Sequence, residues 1–284
     1  WRGRQAKDLD EQLQQSAGRS AQAVDLQGRR LGAYPVVFRW NACSIMRSES
    51  WNPNWLETHC IELSMDGAWR GVETQYIAAS MKLVDTLEEQ DVLEQLLEES
   101  KPPIPPTQVS KHYLLLSPFR YFPHHSSRFR PGQQSGLWYG SSTLEGACSE
   151  IAYWRMRFIL DSAGLSGDGA VVTEHTFYQA TVQGKAINLM EAPWVDFAHI
   201  WKHPSDYSAT HKLAEAAVKT GIQWIQYESV RAPSCPLAAV LTPDALHASN
   251  AEIDQSKQEW ICKATRDAVL MRSKDGKRQF EWHE

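Results

Sequence analysis

Residues 136–155 read GLWYGSSTLEGACSEIAYWR. The stretch predicts a short strand, a turn and an amphipathic helix. Two glycines bracket Trp138 and Tyr139 in the manner of a β-run, and Ser142-Thr-Leu-Glu145 matches a capping box. Beyond it, 100° per residue gathers Leu144, Ala147, Cys148, Ile151, Trp154 and Phe158 on one stripe. Glu150 falls at the border of that stripe, beside Ala147 and Trp154. A carboxylate held at the margin of an apolar face is a candidate functional group.

Working outward, 284 residues with 42% hydrophobic content suit a globular chain with a sizeable core. A formal charge of −5 without a basic cluster argues against nucleic-acid binding. No run approaches the roughly 18 apolar residues of a spanning helix, and the N-terminus lacks the apolar core of a secretory signal. The expected location is cytoplasmic. Five scattered cysteines, none in a C-x-x-C pair, read as reduced thiols. Cys148, on the helix stripe, reads as packing.

Residues 1–45 read as a flexible or non-native leader, with Met46 and Met65 as candidate starts, whereas Trp40, Trp51, Trp55 and Trp69 suggest packing from about residue 34. Residues 46–108 read as an N-terminal helical extension. Within it, apolar positions from Tyr76 to Leu97 predict one or two amphipathic helices with an acidic solvated face, and KPPIPPTQ at 101–108 is a stiff connector. Residues 109–284 form the main domain. There β-runs are expected at 112–119, 136–140, 175–182, 186–190, 222–230 and 237–243. Helices are expected from Ser142 and over 206–221, the latter capped by Ser205 or Asp206 and stopped by Gly221. A C-terminal hairpin turns at Asp275-Gly276. The irregular order of elements predicts an α+β fold with a mixed or antiparallel sheet.

Nucleotide-loop, zinc-protease and serine-elbow motifs are absent. His199 and His203 share a spacing of four with His211 nearby, but Pro204 and the missing third ligand leave a metal site unsupported. No metal is expected. In SPFRYFPHHSSRFRPGQQSGLWYG, Arg120, Arg128 and Arg130 precede Tyr139 and Glu150. Guanidinium suits phosphate capture, tyrosine offers a stacking face, and a carboxylate can oppose a cationic sugar centre. On spacing alone, a structural salt bridge is the favoured reading of the same residues.

The run from Ser117 to Arg155 resembles the core of the RES domain family, which includes toxins of RES–Xre toxin–antitoxin modules. Arg120 and Arg128 resemble its arginines, with Arg130 standing where relatives usually carry Gly. Tyr139 resembles the strand tyrosine, Glu150 follows eleven residues later on the A-x-x-E helix, and Ser229 in IQYESVRAP resembles the family serine. The closing strands and the helices upstream are similar to a longer subgroup with an N-terminal helical extension. The resemblance covers about residues 72–284 and implies an ADP-ribosyltransferase-like core with NAD as substrate, cleaved at the nicotinamide–ribose bond. Phosphate, water or a protein side chain would be the acceptor. It implies catalytic roles for Glu150, Tyr139 and Arg120, and NAD binding by Arg120, Arg128, Tyr139 and Ser229. An Xre-type antitoxin is the implied partner, with self-association open. A protein ADP-ribosyltransferase and a silent interaction module are the alternatives.

Overall fold

The computed structural model describes residues 51–74, 83–100, 111–165 and 169–283, with a short antiparallel pairing of β1 (Ala23–Val24) and β2 (Arg30–Leu31). The leader, Trp40, Met46 and the connector at 101–108 otherwise lie outside the described residues. The chain separates into a larger unit, Trp51–Ile151 with Thr173–Trp260, and a smaller one that includes the described residues of 152–172 and 261–283.

In the larger unit the short helix α1 (Trp55–Thr58) leads into β3 (Ile61–Glu73). Trp51 and Trp55 pack on Trp194, with ring centroids 5.7 and 5.4 Å apart. Helix α2 (Leu87–Glu99) follows, then α3 (Tyr113–Arg120), β4 (Trp138–Ser141) and α4 (Leu144–Asp161). The next elements are β5 (Val171–Asn188), α5 (Ala198–Trp201), α6 (Ser208–Lys219), β6 (Trp224–Glu228) and β7 (Pro236–Val240). Strand β3 runs antiparallel to β5 from Ile61↔Ala186 to Glu73↔His175, with a bulge between Met65 and Ala68 where Gly67 takes φ +62°. β3 meets β4 at one pair, Trp69↔Ser141. β4 and β7, then β7 and β6, pair antiparallel, and β6 returns to β5 in parallel. The pairings therefore close on β5, and the sheet is mixed and mostly antiparallel, as expected for an α+β chain.

Alternation along these strands feeds two cores. Trp138, Ala238, Val240 and Trp224 point to one, with Tyr178 and Leu115. Tyr139, Ala239, Leu237, Ile225 and Tyr227 point to the other, with Trp194, Trp201 and Leu213. Buried polar handles are satisfied in series: Trp138 Nε1 donates to the Tyr178 hydroxyl at 3.1 Å, and that hydroxyl donates to the Leu114 carbonyl at 2.8 Å.

Three local expectations are corrected. Residues 112–119 form helix α3, not a strand. His112 Nδ1 accepts from Leu114 N, and Leu114, Leu115 and Leu116 are buried together. A three-leucine run carries no period, so packing decided it. The runs at 175–182 and 186–190 are one strand, β5, because Gly184 at φ +139° lets the chain continue where a Cβ would meet Gln223 Oε1 at 2.1 Å. At α4 the cap is Thr143, whose Oγ1 accepts from Gly146 N at 3.0 Å, while Ser142 N is drawn to the Pro236 carbonyl. The box expected at Ser142 forms instead at α7 (Asn250–Ser256), between Ser249 and Glu252.

The cap expected at Ser205 or Asp206 is displaced: Tyr207 is the N-cap of α6 and makes no side-chain cap bond, while Asp206, one residue earlier, accepts from Ser208 N. The stop at Gly221 holds, with φ +73° just past the helix. In the smaller unit β10 (Ala268–Ser273) and β11 (Gln279–His283) pair antiparallel around Gly276 at φ +72°; β8 (Leu246–His247) and β9 (Gln258–Ala264) precede them in the chain.

Gly136 sits where a Cβ would meet the Pro118 carbonyl oxygen at 2.1 Å, and its N–H donates to the Tyr121 carbonyl at 2.9 Å. Both neighbours are backbone, so neither gives way. Gly136→Ala is expected to cost about 1–3 kcal/mol, read as a lowered midpoint in chemical denaturation with unchanged slope.

Candidate active site

Glu150 projects from α4, the helix capped by Thr143. Its Oε1 accepts a 2.7 Å hydrogen bond from Ser229 Oγ, whose residue follows β6 and is 1% exposed. Ser229 Oγ also accepts from Arg231 N at 3.0 Å and Ala232 N at 2.9 Å, and Ser229 N donates to the Cys235 carbonyl. A hydroxyl has one proton and two lone pairs, so Ser229 is saturated. It positions Glu150 and has no bond left for a ligand. Glu150 Oε2 has no hydrogen-bond partner among the described residues.

Burial pushes the Glu150 carboxyl above the usual glutamate range, while the Ser229 hydrogen bond and the charges of Arg231 and Arg128 pull the other way. The group is a desolvated carboxyl whose burial outweighs the help of one hydroxyl and two cations.

Tyr139 meets the site through β4, with its ring on the Trp194–Leu213 core. Its hydroxyl pairs with Ser127 Oγ at 2.8 Å and accepts from Phe129 N at 3.2 Å. Burial pushes its phenol up. The two bonds clamp the residues on either side of Arg128, within a turn closed by reciprocal backbone bonds between Ser127 and Arg130. From α6, Thr210 Oγ1 donates to the Arg128 carbonyl and His211 Nε2 meets the Ser127 carbonyl at 2.8 Å. A carbonyl only accepts, so His211 carries its proton on Nε2.

Arg128 stands at the tip of this turn. Its Nη1 donates to the carbonyls of Trp201 at 2.7 Å and His203 at 3.0 Å, and its guanidinium lies 4.9 Å from the Tyr207 ring centroid. Nη2 and Nε have no hydrogen-bond partner among the described residues. Arg130, expected beside a phosphate site, is instead buried and turned into its own loop. It donates to the carbonyls of Pro123, His125, Pro131 and Gln134. Its role is to knot the loop that presents Arg128.

The structure thus brings together Glu150, Ser229, Tyr139 and Arg128. Arg120 closes α3 and is not among the groups whose charge or hydrogen bonds act on Glu150. Of the histidines considered for metal, His203 Nδ1 accepts from Asp206 N at 2.7 Å and His211 is engaged with Ser127. Cys148 is fully buried.

Sequence reading missed three groups. Arg231 acts on the Glu150 carboxyl and donates to the Pro204 carbonyl at 3.2 Å. Arg70, on β3, donates Nη1 to the Tyr139 carbonyl at 2.9 Å and lies 5.7 Å from the Trp138 ring centroid. Tyr227 packs edge-on against Phe129 at 4.9 Å. For Tyr227 a signal existed: the alternation in IQYES sets it on the same strand face as Ser229.

No curated protein matches the chain. Among solved structures, the M. tuberculosis MbcT–MbcA toxin–antitoxin complex is similar, with a TM-score of 0.40 and 10% identity over 72% of this chain and 95% of that one. The RES domain family matches residues 105–263, more than half of the sequence and the whole of the Glu150 constellation. With Arg120, Arg128, Tyr139, Glu150 and Ser229 all inside that match, the chain belongs to the RES domain family.

Proposed function

We propose that this RES domain consumes NAD by breaking its nicotinamide–ribose bond, and that it is the toxin of a toxin–antitoxin pair restrained by an Xre-type antitoxin. The observation that carries the reading is Glu150: a desolvated carboxyl fixed through one oxygen by Ser229, with the other oxygen without a hydrogen-bond partner among the described residues. Cleavage sends the bonding electron pair out with nicotinamide, which becomes neutral, and leaves positive charge on the ribosyl carbon. A fixed negative charge at that point lowers the barrier because it favours the transition state over the neutral sugar.

The other groups support the same reading. Arg128 offers two free donor nitrogens for a pyrophosphate, held in place by the clamp of Tyr139 on its flanks. The family resemblance assigns Arg120 to the same anion. The Tyr139 ring lines the ribose pocket while its hydroxyl keeps the loop in register. Water or inorganic phosphate completes the reaction by adding to the ribosyl carbon, yielding ADP-ribose and a proton or its phosphate ester.

The test is incubation of the purified chain with NAD, with and without inorganic phosphate, following free nicotinamide and the ADP-ribosyl product by chromatography. Nicotinamide release is the expected result, with phosphate dependence deciding between the two acceptors. Absence of release under both conditions, with no ADP-ribose on added protein, overturns the reading.

A further inference from the structure

Tyr227 has no part in the chemistry assigned above, yet it occupies the centre of the site. Strand register places it there. Tyr139 on β4 pairs with Ala239 on β7, and Ala239 pairs with Ile225 on β6. Two residues along, Tyr227 pairs with Leu237, which pairs with Ser141. Side chains two apart share a face, so Tyr139, Ile225 and Tyr227 look the same way, and Ser229 follows just past the end of the strand.

The side chain is 7% exposed, and its hydroxyl has no hydrogen-bond partner among the described residues. An unpaired buried hydroxyl costs stability, and a phenylalanine would fill the same space without that cost. Around it stand Glu150, Tyr139, Arg128 and Tyr207, each close enough to act on its phenol, which burial and the Glu150 charge hold well above the ordinary tyrosine range. The phenol therefore stays protonated and able to donate.

We propose that Tyr227 is a further substrate-contacting residue: its hydroxyl binds one hydroxyl of a ribose cis-diol while Glu150 Oε2 accepts from the other. The proposal rests on the NAD reading and adds a second point of attachment for the sugar. Fixing both hydroxyls sets the rotation of the ribose, which a single contact to Glu150 leaves free.

The test uses Tyr227→Phe in the full chain, with NAD and with NAD analogues lacking the 2′- or the 3′-hydroxyl of the nicotinamide-side ribose. The variant is expected to melt at or above the wild-type temperature and to lose about tenfold in kcat/KM for NAD, the size of one neutral hydrogen bond. For one deoxy analogue the wild type and Tyr227→Phe should be equal within about twofold, because the partner hydroxyl is already gone. Wild-type kcat/KM in a well-folded Tyr227→Phe overturns the proposal and leaves the NAD reading standing. A loss of the same size for NAD and both analogues assigns Tyr227 a packing role and also overturns it. If the wild type neither binds nor cleaves NAD, the reading of the whole site fails first.

Discussion

Glu150→Gln is expected to lower nicotinamide release by at least about 10²-fold, the scale of removing one preorganised electrostatic contact from a transition state, while melting at or above the wild-type temperature. The two outcomes share one cause. Glutamine keeps an oxygen to accept from Ser229 Oγ, so the 2.7 Å contact can survive, and only the charge disappears. That charge is disfavoured by the fold, since burial raises the Glu150 carboxyl above the usual range despite Ser229, Arg231 and Arg128. The sign follows. A carboxyl whose pKa is higher folded than unfolded binds its proton more tightly in the native state. Its cost to stability is absent below the unfolded pKa and rises to its full value above the folded one. Wild type should therefore lose stability relative to Glu150→Gln as pH rises through the window above the ordinary glutamate pKa, and the two should converge in acid. Activity runs the opposite way: the acid limb of kcat/KM should fall at a pH higher than an unperturbed glutamate gives. Melting curves and rates of both proteins across the acid range check this. Retained turnover in Glu150→Gln removes the role assigned to the carboxylate.

Where the sequence was legible, the information was local. Glu150 could be placed on α4 because helical spacing is fixed, and the turn at Gly276 and the stop at Gly221 followed from backbone that favours glycine. Ser229 came from family resemblance and Arg128 from residue type as well as resemblance; in the structure one holds the Glu150 oxygen and the other contributes charge to it. What could not be read was settled by partners distant in the chain. Leu114 and Leu115 are helical because they pack under β-strands whose Tyr178 hydroxyl reaches back to Leu114. Arg130 looked like a ligand for phosphate because spacing cannot reveal four carbonyls of its own loop converging on it. Arg70 enters through a strand 69 residues away from Tyr139, and Tyr227 through the β4–β7–β6 register. Both are consequences of sheet closure.

Ser229→Ala tests the support beneath the carboxylate. The serine oxygen serves three neighbours, donating to Glu150 and accepting from the backbone of Arg231 and Ala232. Alanine leaves two N–H groups without their acceptor and Glu150 without its Ser229 hydrogen bond, at a site where Ser229 is 1% exposed and water cannot readily substitute. A stability loss of about 1–3 kcal/mol is expected from the unpaired groups. The turnover loss has a separate signature. Because the Ser229 bond is the largest influence lowering the Glu150 pKa, its removal should move the acid limb of the rate profile to still higher pH. It should also lower kcat more than it changes KM, since Oε2 remains present but is no longer held at one point. Ser229→Thr, which keeps the hydroxyl, should restore the limb toward wild type even where the added methyl costs stability. A purely structural serine would lower the melting temperature and leave the pH profile where it was. A shifted profile in Ser229→Ala, reversed in Ser229→Thr, identifies Ser229 as the residue that aims Glu150 rather than one that touches NAD.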